Sequence, residues 1–345
     1  MCNSTITIDE QVKWDHVIKS SHAYDFHHTS YYHIMSADSN DPLLFLFESD
    51  GAFIAIPLLK RKIEGTAYFD CTSVYGYAGP VSNIDFADIT PGFMNKFLEN
   101  FYAFLKEENI VSVFTRLNPL IHQHFNPGSG VELYDNGQTV VIDLRPDITQ
   151  QRMNYRKAFR SKINQLRNKG YTVRQATSAA DVAIFTEIYT DNMMRLSAGS
   201  NYFYDADHFL KLLHAEGFSS HLLLACYDGK VTGGVLTTCC NQFMQLHLAA
   251  THRDFLHDSP MRLLIEEASI LGKEAGMQYL QLGGGVGGNR DSLFEFKAGF
   301  SDYHLPFKTW RLIADINVYK MLLLKRTSHI SAAANVPFPG YRFDS

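Results

Sequence analysis

Two stretches of the chain repeat one pattern of apolar and polar positions. Leu43 to Leu59 reads LLFLFESDGAFIAIPLL, and Leu222 to Thr238 reads LLLACYDGKVTGGVLTT. In each, an apolar run meets an Asp-Gly pair (Asp50-Gly51; Asp228-Gly229) and a second apolar run follows. Asp-Gly between strand-like runs is a strong hairpin signal, because both turn positions need positive φ. An amphipathic helix pattern and a short strand come after each hairpin, in Phe97 to Leu117 and in Leu263 to Leu282. The helices stop at Asn109 and Gly276, residue types suited to the left-handed position after a helix. The order predicts two copies of one α/β domain, at 1–146 and 147–328, with the boundary near Arg145-Pro146-Asp147. An Ala-, Pro- and Gly-rich irregular tail, 329–345, follows them.

The second copy carries the sharper signals. Phe243 to Ala250 (FMQLHLAA) reads as a strand and Met261 to Ala275 as a helix, with Asp258 and Ser259 as caps and Pro260 in the first turn. Helix N-termini present unpaired N–H groups and favour anions such as a pyrophosphate, which makes Ser259 and Met261 candidate cofactor contacts. Tyr279 to Phe300 reads YLQLGGGVGGNRDSLFEFKAGF: a strand, a glycine-rich turn through Gly284 and Gly285, then a polar-to-aromatic segment. Such glycines let backbone approach a ligand closely. Between the copies, Gln150 to Tyr171 holds Arg152, Arg156, Lys157, Arg160, Lys162, Arg167 and Lys169 and no acid, on a helix that Asp147 or Thr149 starts and Gly170 ends. Asp181 to His214 is again helix-like.

Composition narrows the classes. Of 345 residues, 46% are hydrophobic and 19% charged, enough to bury ordinary cores. A net charge of −5 argues against a general nucleic-acid binder. No apolar run is long enough to cross a membrane, and MCNSTITIDEQVKWD is not a secretory signal. Five scattered cysteines with no CxxC pair fit a reduced cytoplasm. His27-His28, His122 and His124 lack companion ligands at a recognised spacing, so no metal site is expected. No nucleophile elbow, Walker-type loop or Rossmann fingerprint is present.

The two-copy layout, the basic linking helix and GGG…DSLFEFKAGF resemble the Fem-type superfamily, whose members contain tandem GCN5-related N-acyltransferase (GNAT-like) domains. Asp70-Cys71-Thr72-Ser73-Val74-Tyr75-Gly76-Tyr77-Ala78-Gly79-Pro80 is similar to a segment of the same family, and the resemblance spans roughly residues 25 to 325. It implies an α/β (α+β) fold of two GNAT-like domains with mixed central sheets flanked by helices. It implies transfer of an acyl group from acyl-CoA to an amino sugar that is nucleotide- or lipid-linked, in bacterial surface polysaccharide synthesis. The alternatives are an aminoacyl-tRNA-dependent ligase acting on a peptidoglycan precursor, and a non-catalytic binding module. The chain lacks the coiled-coil insertion of some tRNA-using members. It also lacks the pyrophosphate loop of ordinary acyl-CoA enzymes, where Asp254 to Pro260 stands without glycine.

Amine acylation needs a deprotonated amine, a polarised carbonyl and close positioning. In GNAT-like folds a splayed central strand polarises the carbonyl, which here is Gln245 to Thr251. His247 lies on it, sharing a side with Gln245 and Ala249 by alternation, and is either the base or a hydrogen-bonded strand histidine. His252 and His257 are poorer candidates as loop residues. Lys297 among phenylalanines either snorkels or has a fixed anionic partner, and the resemblance favours contact with a substrate phosphate or carbonyl. Asp291 orients Lys297, caps the next helix or binds a sugar hydroxyl. Arg156 and Arg160, one helical turn apart, either fork a diphosphate or form a solvated basic face. Tyr75 and Tyr77, flanking Gly76, stack on a sugar or base or pack at a domain interface.

Overall fold

The computed structural model describes residues 2–128, 131, 133–326 and 338–342, so most of the expected tail lies outside the described residues. The chain forms two compact units, Met1–Asn136 with Pro306–Ser345, and Gly137–Leu305.

In the first unit the strands are β1 (Cys2–Thr7), β2 (Asp41–Ser49), β3 (Ala52–Lys62), β4 (Phe69–Thr72), β5 (Val81–Ser82) and β6 (Ile110–Arg116), joined late in the chain by β13 (His304–Ile313). Their order is β1-β2-β3-β4-β6-β13, with β5 on β3. The β2–β3 turn is the expected hairpin: Asp50 and Gly51 take φ of 55° and 80°. The helices are α1 (Gln11–Lys19), α2 (Ser30–Ser36), α3 (Pro91–Glu107) and, near the end, α10 (Ile316–Arg326). The Thr90 hydroxyl caps α3 by accepting from the Phe93 amide. Phe97, Phe101 and Phe104 of α3 cover Phe45 of β2, and Asn109, at φ 54°, ends the turn after the helix. The described end of the tail is tied down. Arg342 Nε and Arg61 Nε each donate to the buried Asp70 carboxylate at 2.8 Å, and the Tyr341 and Ser112 hydroxyls meet at 2.7 Å.

His27, His28 and His122 lie in a buried polar network, whereas His124 is exposed. Asp25 accepts from the Asn118 amide at 3.0 Å and from the Phe26 backbone at 2.6 Å, and faces His27 Nδ1 at 3.2 Å. His122 Nε2 donates to the Pro80 carbonyl at 2.7 Å, with Nδ1 3.0 Å from the Asn118 carbonyl. The His27 ring lies so close under Gly76 (φ 123°) that a Cβ there would meet Nε2 at 1.9 Å. Only glycine therefore fits between Tyr75 and Tyr77. Burial, the leading cause in each case, pushes His28 down to about 3 and His33 and His122 down to about 4. These rings are neutral in the fold, whereas in the unfolded chain they take up protons below 6.5. The unfolded state then binds more protons, so this stability is complete above that pH and is lost as pH falls toward 4. We expect the urea midpoint to drop steadily across that window. Nitrogen NMR of the native protein should show all three imidazoles neutral at about pH 5. Native titration near 6.5 would contradict the network.

In the second unit β7 (Leu133–Asp143), β8 (Thr172–Gln175), β9 (Ser219–Tyr227), β10 (Lys230–Cys240), β11 (Phe243–Thr251) and β12 (Tyr279–Gly283) lie in the order β7-β12-β11-β10-β9-β8. The β9–β10 turn repeats the first hairpin, with Asp228 and Gly229 at φ 50° and 71°. Its helices are α4 (Ile148–Asn154), α5 (Lys157–Lys169), α6 (Ala179–Arg195), α7 (Ala206–Leu213), α8 (Met261–Glu274) and α9 (Ser292–Lys297). The expected single basic helix is two. Asp147 caps α4, the chain turns extended at Tyr155 (ψ 140°), and α5 runs to Gly170 in the left-handed conformation. Tyr155 is buried and the Arg156 amide donates to the Gly299 carbonyl, a tertiary bond that interrupts the helical ladder. Asp181 to His214 likewise divides into α6 and α7.

Acids absent from the basic segment come from elsewhere. Glu266 of α8, fully buried, holds Arg152 at 2.6 Å and Arg167 at 2.7 Å. Burial keeps its carboxyl above the ordinary range against the pull of those two guanidiniums. Asp258 accepts from Lys169 Nζ at 2.7 Å and from the Tyr171 hydroxyl at 2.6 Å. It therefore does not cap α8, whose N-cap is Pro260 with no side-chain cap.

Candidate functional site

The sheet of the second unit opens at its centre. Parallel pairing of β11 with β12 covers Phe243–Tyr279, Met244–Leu280 and Gln245–Gln281, and no further pair joins these strands among the described residues. Each strand carries a bulge just beyond the last pair. On β11, Leu246 sits opposite Thr237 and Leu248 opposite Leu236, which leaves His247 as the extra residue. On β12, Gln281 faces Val141 and Gly283 faces Val140, which leaves Leu282 extra. Bulges bend strands and re-aim side chains, and they gather next to active sites. The even alternation expected through Gln245, His247 and Ala249 is therefore broken at His247.

β12 runs directly into the glycine-rich segment. A Cβ on Gly284 would meet the Gln138 carbonyl at 2.6 Å, and one on Gly285 would meet the Asn289 carbonyl at 2.0 Å and Asp291 Oδ1 at 2.4 Å. The glycines are required by close packing of the loop on itself and on β7. Asp291 is the N-cap of α9: its carboxylate accepts from the Phe294 amide at 2.9 Å and the Val286 amide at 3.0 Å. Those two bonds, the Phe294 one first, hold its pKa below the usual carboxylate range. At the other end of α9, Lys297 Nζ donates to the Gly284 carbonyl oxygen at 2.7 Å. Burial lowers the Lys297 pKa to about 8, with the Asp291 charge acting in the opposite direction. The expected fixed partner of Lys297 exists, and it is a carbonyl dipole rather than an anion. Gly284, Gly285, Asp291 and Lys297 thus form one assembly at the exit of β12.

Arg156 joins that assembly through Glu295, whose carbonyl and carboxylate accept at 3.0 Å and 2.9 Å. Glu295 also accepts from Arg290 at 3.0 Å. Arg156 is thus committed to a carboxylate, while Arg160 makes no ion pair among the described residues. Ser259, at φ 56°, and Met261 stand at the start of α8 as expected. His252 Nδ1 accepts from the Asp254 amide at 3.3 Å, and His257 sits 3.5 Å from Asp258. In the first unit, Tyr75 is exposed with the Arg116 guanidinium over its ring, and Tyr77 packs edge-on against Phe307 and His27. Tyr77 is thus committed to packing. The sequence reading missed Glu266 and Glu295 and took Asp258 for a helix cap, since the bases Arg152, Arg167, Arg156 and Lys169 that they pair with lie far away along the chain. Among the described residues no group of three or more His, Cys, Asp or Glu is arranged to hold a metal ion.

Residues 153–297 match the family model described as Acetyltransferase (GNAT) domain. This stretch is a GNAT domain. The split strands, the glycine-rich exit and α8 all fall inside it. No curated protein sequence matches the chain. Among solved structures, FemX is similar over 93% of this chain and 99% of its own, with a TM-score of 0.72 and 14% identity. L-PGS from Bacillus licheniformis is similar over 92% and 96%, with a TM-score of 0.55 and 14% identity. A tandem GNAT protein from the clavulanic acid biosynthesis pathway is similar over 91% and 99%, with a TM-score of 0.50 and 12% identity. These likenesses span nearly the whole chain and show a fold of tandem GNAT type. The GNAT domain makes the protein an acyltransferase.

Proposed function

We propose that the chain is an N-acyltransferase that moves an acyl group from acyl-CoA to the amine of a nucleotide- or lipid-linked amino sugar, in the cytoplasm, for cell-surface polysaccharide. The observation that carries the transfer chemistry is the pair of bulges at His247 and Leu282 where β11 and β12 part. Backbone of β11 beyond Gln245 faces an opening instead of a strand, which is where fixed N–H dipoles can polarise an acyl carbonyl. His247, the extra residue of the β11 bulge, would take the amine proton in this reading. Lys297 holds the Gly284 carbonyl and so fixes the wall of glycine backbone beside the opening. Asp291 fixes the same wall from the other end of α9.

The start of α8 suits the phosphate groups of the donor. It has no side-chain cap and no acid in its first turn, and Asp258, just before it, is paired with Lys169 and hydrogen-bonded by Tyr171. Ser259 and Met261 would hold the donor there. When bound, acyl-CoA supplies a carbonyl already activated as a thioester. No helix among the described residues is long and apolar enough to cross a membrane, so a lipid-linked acceptor would be met at the membrane surface. The second reading, an aminoacyl-tRNA donor and a peptidoglycan precursor as acceptor, is favoured by the lack of glycine between Asp254 and Pro260.

Calorimetric titration with acetyl-CoA, with desulfo-CoA as control, separates the two donors. Saturable binding of both is expected. Absence of binding at millimolar concentration would remove acyl-CoA, and a charged-tRNA assay would then take its place.

A further inference from the structure

One rung of the GNAT sheet is polar across four neighbouring strands. Ser220 of β9, Thr238 of β10, Gln245 of β11 and Gln281 of β12 stand directly opposite one another. Directly opposed residues point to the same face of a sheet, so the four side chains form one row. All four are buried, Thr238 and Gln281 completely. Buried polar atoms are ordinarily hydrogen-bonded. Here the Ser220 hydroxyl, the Thr238 hydroxyl and Gln281 Oε1 have no hydrogen-bond partner among the described residues.

Gln281 is the member of the row at the opening. Its pair with Gln245 is the last between β11 and β12 among the described residues. The next four residues of β11, Leu246 to Ala249, are each partly exposed although β11 has a strand on either side. The Gln281 amide leans toward that opening. Its Nε2 donates to Thr139 Oγ1 at 3.2 Å, and Thr139 Oγ1 donates onward to the Leu305 carbonyl at 3.5 Å. The residue opposite Gln281 is Val141, on a strand that runs antiparallel to β12. Thr139, two residues before Val141, therefore lies toward the end of β12 that parts from β11. With Nε2 committed to Thr139, the unmet atom is the acceptor Oε1, and a guest must bring the donor. A buried acceptor left without a donor costs stability that a methionine there would not. We propose that Gln281 is a specificity-determining residue, whose Oε1 accepts from a hydroxyl carried on the transferred acyl group. A short hydroxyacyl thioester is then preferred to its unsubstituted isostere, which leaves the oxygen unmet. An ammonium is the poorer guest, because the buried row contains no carboxylate to offset its charge. The inference rests on the acyl-CoA reading above.

Calorimetric titration of the full chain with two pairs of thioesters tests it. In each pair a hydroxyl replaces a methyl: glycolyl-CoA beside propionyl-CoA, and 3-hydroxybutyryl-CoA beside isovaleryl-CoA. In wild type at least one hydroxyacyl compound should bind about tenfold more tightly than its isostere, or better. Gln281→Met, which keeps the length of the side chain and removes the amide, should abolish that preference and bind the methyl members at least as well. Gln281→Asn, which withdraws the amide by one carbon, should weaken it. Thr238→Val, in the same row but on the far side of β11 from the opening, should keep it. The Gln281→Met melting temperature should equal or exceed that of wild type, since a buried unmade hydrogen bond is removed. If all four compounds bind and each isostere matches its partner in wild type, the inference falls and the acyl-CoA reading stands. A preference that survives Gln281→Met also overturns the inference, and a lowered melting temperature beside it would leave Gln281 only the support of Thr139. Binding of none of the four removes the acyl-CoA reading and the inference together.

Discussion

Lys297→Met should leave the protein folded and lower kcat by about 100-fold, the order expected when a reacting group is misplaced by roughly an ångström. Lys297 is the only side chain among the described residues seen to hold the Gly284 carbonyl, at 2.7 Å. Gly284 leads directly out of β12, the strand that has just parted from β11. Without the ammonium, the Gly284 carbonyl loses that anchor, while Asp291 still holds the Val286 amide. The loss should therefore appear in kcat more than in KM, since the wall is needed to position the reacting centre. The wild-type rate should also decline as pH rises through about 8, the pH at which burial lets Lys297 lose its proton. Methionine has no such proton, so Lys297→Met should lack this alkaline limb. Steady-state rates between pH 6 and 9.5 check both statements. An undiminished kcat in Lys297→Met would remove the lysine from the site.

Glu266→Ala should be the most destabilising single change in the GNAT domain. Glu266 is fully buried and pairs with both Arg152 and Arg167, the latter also meeting the more exposed Glu267 at 2.6 Å, so Arg152 is the one left without a carboxylate. Removing one side of a buried ion pair leaves uncompensated charge and costs about 3–5 kcal/mol. In a unit of this size that corresponds to a fall in melting temperature on the order of 10 °C. Arg152 and Arg167 lie on α4 and α5, so the change should loosen the packing of both on α8. The triple variant Arg152→Met, Glu266→Leu, Arg167→Met, with all charge removed, should recover much of the loss. Calorimetric melting of the three proteins decides it. A Glu266→Ala melting temperature within 2 °C of wild type would show that the arginines are solvated enough to stand alone.

The elements that depend on local chemistry were legible in the chain. Asp50-Gly51 and Asp228-Gly229 make the expected positive-φ turns, and Asn109 and Gly276 end their helices at positive φ, as their residue types require. The glycine-rich exit and Asp291 as a cap were also readable, because each pairs with residues close in sequence, whereas the anionic partner expected for Lys297 is instead the Gly284 carbonyl. What escaped depends on residues far apart. FMQLHLAA reads as regular alternation, and the bulge at His247 comes from its pairing with β10. The basic segment reads as one unpaired helix, yet Gly299 breaks it at Arg156, and Glu266, Asp258 and Glu295 neutralise it from about 100 residues downstream. Asp258 reads as a helix cap because Asp is common there, but Lys169 and Tyr171 compete for its carboxylate and win.

The central claim is amide formation at the opening between β11 and β12, and its most direct measurement is product mass. Purified protein is incubated with acetyl-CoA and a nucleotide-linked amino sugar, beside His247→Ala and Lys297→Met, and the sugar is weighed by mass spectrometry. The account predicts an acetyl increment on the amine with wild type, and a rate at least about tenfold lower in each variant. If wild type acylates no amine with either acetyl-CoA or charged tRNA as donor, or if both variants turn over at the wild-type rate, the account is contradicted.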